Sequence, residues 1–408
     1  MRKYFGFLLT GILLCTNVLH AQKTLRVRKL VDSKHDKLYG LPLSVVDIPA
    51  GNIVISGNAA DTSSAGYNQQ HLVKISSFYI STTEVTNAQY KEFTDWVRDS
   101  IAAFDLGGKY IIVKNGDTAI NWKYAADINY SDPAIMEKLT DLLLDPSKSL
   151  SNHPQIDPHK LIYRMQGFNY QEAAKKENEG RNPKDFLYKQ DIEVYPDTLV
   201  WMRDFGYANN EHMSIGYYAS DKYKNYPVVG VSWLQANAYC DWFTKQRIYR
   251  EQRRRKMPAD GVCRLPTQAE WAYAASLNDD NSDVKANKRN KVGKDKKQEE
   301  GLQGNKLFPE MVIRNKEGGY HIYGMAGNVS EWTNTSFYEG GINFVNRFNP
   351  DIEWGSTDSK SKFKRRKVVC GGSWKDIPQL TTTSNRFYED MDNAHSYIGF
   401  RVVLNFPD

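Results

Sequence analysis

The stretch VVCGGSWKDIPQLTTTSNR, residues 368–386, reads as a β-strand that stops on two glycines beneath a tryptophan. Val368 and Val369 lead into Cys370. Gly371 and Gly372 then let backbone approach backbone or a ligand closely, and a strand interrupted by a glycine pair has a packing reason for it. Such a turn is a suitable frame for an active site. Yet between Lys375 and Tyr397 there is no cysteine, and His395 is the only histidine. The stretch is either a catalytic loop or the shape of one without its chemistry.

The amino terminus bears on where such chemistry would operate. Met1-Arg2-Lys3 is a basic start, and the apolar run FGFLLTGILLCTNVL behind it is short for a bilayer span. Ala21 followed by Gln22 is a cleavage point, so residues 1–21 read as a signal peptide and 22–39 as an N-terminal segment of the mature chain. Lipoprotein processing before Cys15 is the alternative, disfavoured because Leu14 is bulky where a small residue is needed. Without Arg2 and Lys3 the chain has 52 basic against 48 acidic residues, a charge of +4 in place of +6. That balance is too mild to imply nucleic acid, and no nucleic-acid-binding motif is present. Apolar residues at 40% supply a core, and the 25 tyrosines and 9 tryptophans suit a loop-rich fold whose rings have satisfied polar tips. Cys240, Cys263 and Cys370 survive cleavage, as one disulfide and a thiol or as three thiols.

Strand-like alternation over 43–57 and 71–81 precedes a helix that Thr86 caps, with Tyr90, Phe93, Trp96 and Val97 at helical spacing. Residues from about 102 to 224 are weakly patterned and turn-rich. YPVVGVSWLQANAYCDWFTKQ (226–246) is a short β-rich run leading into a helix, and Thr267 with Glu270 forms a capping box for the next one. Two charge runs, 245–257 and 278–301, read as solvated surface or as contacts for an acidic partner. Strands mixed with a few helices, without internal repeats, argue an α+β domain.

Catalytic patterns are missing: there is no HExxH, GxSxG or Walker loop. His153 and His159 are separated by prolines that preclude a helical metal pair, and Asp127, Asn129 and Asp132 lack the spacing of a calcium loop. In GMAGNVSEWTNTSFY (324–338), Gly327 and Asn328 make a turn. Glu331 there either binds a cation with nearby backbone carbonyls, or serves with Asn328 to hydrogen-bond the loop while Trp332 fills the core.

Taken in order, IPAGNIVISG, TEVTNAQYKEF, YPVVGVSWLQANAYCDW, RLPTQAEWAYAA, YGMAGNVSEW, GGSW and IGFR resemble the signature series of the formylglycine-generating (sulfatase-modifying factor) domain. The resemblance covers 40–408, with insertions near 102–224, 245–262 and 277–300. It implies a loop-rich α+β fold of short strands and few helices, related to C-type lectins, with the termini brought together. Active members hold copper with two cysteines after the GGS motif; those positions fall here at about Asp376 and Thr381, neither a soft ligand. The family's calcium loop is implied in part: Gly327, Val329 and Glu331 match ligand positions, while Gly324 stands where an Asn or Asp ligand is expected, a loss that weakens calcium binding.

EFTDWVRDSIA (92–102), EVYPDTLVWMRDF (193–205), YPVVGVSW and GGSWKD further resemble the gliding-motility protein K group, GldK or PorK. That resemblance implies a pseudoenzyme without catalytic residues or a required cofactor. It implies a structural subunit of the type IX secretion and gliding machinery, self-assembled in a periplasmic ring at the outer membrane with a GldN/PorN-like partner. Those proteins are lipoproteins, whereas the Leu14-Cys15 context implies membrane association through partners. Arg247, Arg250 and Arg254 would share one helix face and are the expected partner-binding stripe. The rival readings are a glycan- or peptidoglycan-binding module, and a divergent oxidase using Cys370 with Cys240 or Cys263.

Overall fold

The computed structural model describes residues 28–29, 44–56, 70–114, 116–148, 153–206, 211–248, 250, 261–277, 308–312, 322–338, 346–353 and 365–405. The expected signal peptide with Cys15, nearly all of the 22–39 segment, the charge run 278–301 and Arg254 lie outside the described residues.

The expected α1 spans Asn87–Leu106 and starts where the sequence places it. The Gln89 backbone N–H donates to Thr86 Oγ1 at 3.2 Å, and the Thr86 N–H donates to Gln89 Oε1 at 2.9 Å, a reciprocal cap. Tyr90, Phe93 and Val97 recur at helical spacing on α1 and are buried in the larger core cluster. Ser232 and Gln235 cap the helix Trp233–Phe243 in the same way, as Thr267 and Glu270 do for the helix at 268–277. Naming the short helices Val200–Asp204 and Glu211–Gly216 α2 and α3 makes these last two α4 and α5.

The main sheet runs Arg28–Lys29, Ser44–Ile48, Phe78–Ser81, Val403–Asn405, Val262–Arg264, antiparallel throughout. Strands from opposite ends of the sequence thus flank Phe78–Ser81, which brings the ends of the domain together. A second sheet orders Arg386–Asp390, Arg366–Cys370, Ser330–Ser336 and Ile398–Gly399. The segment 102–224 contributes two antiparallel strand pairs, Ile111–Lys114 with Asp117–Ile120 and Ile162–Phe168 with Leu187–Glu193. Short helices and turns fill the rest. The fold is α+β and rich in loops, as expected.

Two core clusters matter below. The larger joins α1 and α4 through Tyr90, Phe93, Tyr239 and Trp242, rings that meet edge-on, stacked or tilted within 6.0 Å. The second lies under α5 and contains Trp271, Met325 and Cys370.

Candidate functional site

The loop beyond the glycine pair turns back on itself. Gly371 and Gly372 both have left-handed backbones, with φ of 93° and 68°. A β-carbon on Gly372 would lie 2.5 Å from the Leu380 carbonyl oxygen and 2.8 Å from Thr381 Cα, so only glycine fits beneath the returning chain. The crowding inferred from the sequence is real, and its partner is backbone.

At the two positions where the resemblance places copper ligands, the side chains have other tasks. Asp376 Oδ2 accepts from the Ser373 N–H at 2.8 Å and from Ser373 Oγ at 2.7 Å, bracing the turn. Thr381 Oγ1 donates to the Pro378 carbonyl at 3.0 Å. Cys370 is buried on the strand below, where burial and then the charge of Glu331 push its thiol far up. That environment makes an inert thiol, not a nucleophile.

Trp374 roofs this loop and is itself covered. Its ring stacks on Trp201 of α2 at 6.0 Å and 20°, and Phe205 lies 5.1 Å away. The segment 193–205 therefore ends on top of the glycine turn. A clip holds it there: Asp204 accepts from His395 Nδ1 at 2.9 Å, from the Ser396 N–H at 2.7 Å and from Ser396 Oγ at 2.9 Å. Glu389 sits 3.1 Å from the other ring nitrogen of His395. Hydrogen bonds and charge from the two carboxylates outweigh partial burial and raise the imidazole to about 9.

The expected calcium residues fall at one place but do not offer calcium a free carboxylate. Gly327 and Asn328 form the left-handed turn, Val329 is buried, and Glu331 is the second residue of the strand Ser330–Ser336 behind them. Glu331 Oε2 accepts from Arg401 Nε at 2.6 Å and from Trp271 Nε1 at 2.7 Å, and Oε1 accepts from Arg401 Nη2 at 2.6 Å. Arg401 also donates to the carbonyls of Ser81 and Tyr323. Both partners are completely buried, and such a pair is tolerable only with its hydrogen bonds satisfied in this way. A guanidinium thus lies beside Glu331. Both Glu331 oxygens are therefore engaged, and calcium at Gly327, Val329 and Glu331 remains what the resemblance implies. The loop-bonding role read for Asn328 holds: its Oδ1 accepts from the Glu310 N–H at 2.8 Å. Trp332 fills the core as expected.

A carboxyl that the sequence reading missed fills the gap at Gly324. A β-carbon there would lie 2.3 Å from Glu84 Oε1. Glu84 is fully buried; Oε1 accepts from Asn328 Nδ2 at 2.9 Å, and Oε2 has no protein partner. Burial, then the charge of Glu331, raises its carboxyl to about 7 against the pull of Arg401. An acidic residue directly between a strand and a helix cap, in TEVTN, was the available signal. For Arg401 it was the lone charge inside the apolar IGFRVV.

Arg247 does not lie on the exposed face that the expected stripe requires. Arg247 lies in a π-helical turn, Thr244–Ile248, that continues α4. It is buried, pairs with Glu92 of α1 at 2.7 Å and covers the Trp242 ring at 5.6 Å. Helical spacing alone did not disclose the acidic partner across the helix interface. Arg250 is exposed, and no face shared with Arg254 is described.

A groove of about 840 Å³ runs between the inserted segment and the domain, bordered by Glu193, Tyr195, Asp197, Arg203, Asp204 and His395. Among the described residues, no cluster of three or more His, Cys, Asp or Glu could hold a metal ion.

Residues 36–406 match the family model of the sulfatase-modifying factor enzyme 1-like domain. The formylglycine-generating enzyme of Mus musculus is 29% identical over 200 residues, which are 44% of this chain and 45% of that protein. Inactive C-alpha-formylglycine-generating enzyme 2 of the same species is 31% identical over 192 residues, 43% of this chain and 48% of that protein. Serine/threonine-protein kinase pkn1 of Chlamydia pneumoniae is 28% identical over 189 residues, 45% of this chain and 25% of the kinase. The matched region spans a quarter to a half of these relatives.

Proposed function

The chain belongs to the sulfatase-modifying factor enzyme 1-like domain family, and from that premise we propose that it is a non-catalytic scaffold of the type IX secretion and gliding machinery. It takes its place in a periplasmic ring with further copies of itself and a GldN/PorN-like partner, and reaches the outer membrane through its partners. The observation that carries this reading is the covered glycine turn. No cysteine follows Cys370, Asp376 and Thr381 are used within the loop, and Trp201 and Phe205 close over Trp374. Similarity to a relative named inactive is compatible with it. The segment that covers the turn, 193–205, is also one of those carrying the resemblance to the gliding-motility protein K group.

The test has two arms. Purified mature protein is titrated with copper and incubated with a cysteine-containing sulfatase peptide under oxygen; neither stoichiometric copper nor an aldehyde product is expected. Native cells are then cross-linked, and the chain is expected in a ring-sized assembly with a secretion-system partner. Aldehyde formation refutes the non-catalytic part, and a monomer unaffected by cross-linking refutes the scaffold part. The reading as a glycan- or peptidoglycan-binding module is favoured by one feature, the polar groove beside Tyr195. Retention on peptidoglycan that is lost on Tyr195→Ala would support it.

A further inference from the structure

We propose that Cys240 and Cys263 form a structural disulfide in the exported protein, closing residues 241–262 into a covalent loop and leaving Cys370 as the unpaired thiol. The proposal does not depend on the scaffold reading.

The arrangement described is that of the reduced form, with all three cysteines free and buried. Cys240 lies on α4 and Cys263 on the strand Val262–Arg264, which packs against that helix. One hydroxyl joins their backbones: Thr244 Oγ1 donates to the Cys240 carbonyl at 2.9 Å and accepts from the Cys263 N–H, also at 2.9 Å. Beyond burial, the Cys263 thiol is near enough to contribute to the upward shift of Cys240. A disulfide needs Cα atoms roughly 4.4–6.8 Å apart, and two cysteines on packed elements whose backbones share one hydroxyl are compatible with that span. Cys240 and Cys263 also belong to the same core cluster, whereas Cys370 belongs to the other. Of the three pairings the sequence leaves open, this one requires the least movement.

Burial pushes the Cys240 thiol well above its ordinary range, so in the folded chain Cys240 offers little thiolate to an oxidant. The bond must therefore form while the chain folds after export, by exchange with a disulfide oxidant. Two S–H bonds break and one S–S bond forms. Two electrons and two protons pass to the oxidant's disulfide, which leaves as two thiols. Once made, the bond is protected by the same burial. It fixes both ends of the 241–262 loop, one at α4 and the other at the strand Val262–Arg264.

The test uses mature protein denatured under reducing conditions and refolded with oxidised glutathione. After denaturation and alkylation, a non-reduced digest is expected to contain the Cys240–Cys263 peptide pair, with Cys370 alone alkylated. The oxidised form is expected to melt several degrees above the reduced form. Reduced protein exposed to the same oxidant without denaturant is expected to keep all three thiols far longer. Cys240→Ser, or Cys263→Ala if the first variant does not fold, is expected to abolish the link and the melting difference together. Three alkylated cysteines after oxidative refolding, a link through Cys370, or equal melting of both forms overturns the proposal.

Discussion

Replacing Glu84 by glutamine keeps the shape that fills the space beside Gly324 and removes the proton equilibrium. In the folded state the carboxyl is raised from 4.5 to about 7. The folded protein therefore holds this proton more tightly than the unfolded chain does. The resulting stabilisation is fully present below pH 4.5 and is lost as pH rises through 7. At 1.36 kcal/mol per pH unit, the difference between the two values corresponds to about 3 kcal/mol. The glutamine variant has no such term, so its stability relative to wild type should rise by about 3 kcal/mol between pH 4.5 and 8. A constant offset from altered hydrogen bonding to Asn328 does not affect this change. Urea unfolding of both proteins at several pH values measures it, and slopes from other groups, His395 included, cancel in the difference. A difference that does not change with pH means Glu84 is ionised in the folded protein near its usual value. The account of an uncompensated buried carboxyl would then be wrong.

Gly372→Val forces a side chain against the Leu380 carbonyl in a left-handed backbone and should cost roughly 1–3 kcal/mol in thermal or denaturant unfolding; unchanged stability refutes the crowding. His395, raised to about 9, contributes stability that is fully present below pH 6.5 and is lost as pH rises through 9. Asp204→Asn should flatten that part of the wild-type pH–stability curve and increase proteolysis near residue 204 at neutral pH. Arg247→Glu places a second carboxylate against Glu92 and should destabilise the fold by about 3–5 kcal/mol. Arg250→Glu should leave folding intact and weaken only salt-sensitive assembly.

What could be read from the sequence was what neighbouring residues decide. Capping boxes at Thr86 and Thr267 involve residues three apart, and the glycine pair announces its own crowding. The signature order brought the correct fold because each segment is itself short and local. What could not be read depends on partners far along the chain. Glu331 is neutralised by Arg401, 70 residues away, and Glu84 meets Asn328 across 244. Arg247 has helical spacing suited to a surface stripe, but the acidic group opposite it is 155 residues earlier, on α1. Matching single positions to a calcium loop could not disclose the guanidinium that pairs with Glu331.

The parallel indoles of Trp201 and Trp374 have a spectroscopic consequence. Two such chromophores 6.0 Å apart and inclined by 20° should couple their excited states, giving the near-ultraviolet circular dichroism a component that neither ring has alone. A second close pair, Trp96 and Trp122 at 5.4 Å, lies where α1 meets the inserted segment. Trp201→Phe and Trp122→Phe would assign one component to each pair. The protein thus contains two unlabelled optical probes, one for the cover over the glycine turn and one for the seating of the insert on α1. A partner that lifts one region and leaves the other in place would be recognised from the spectrum of the complex alone.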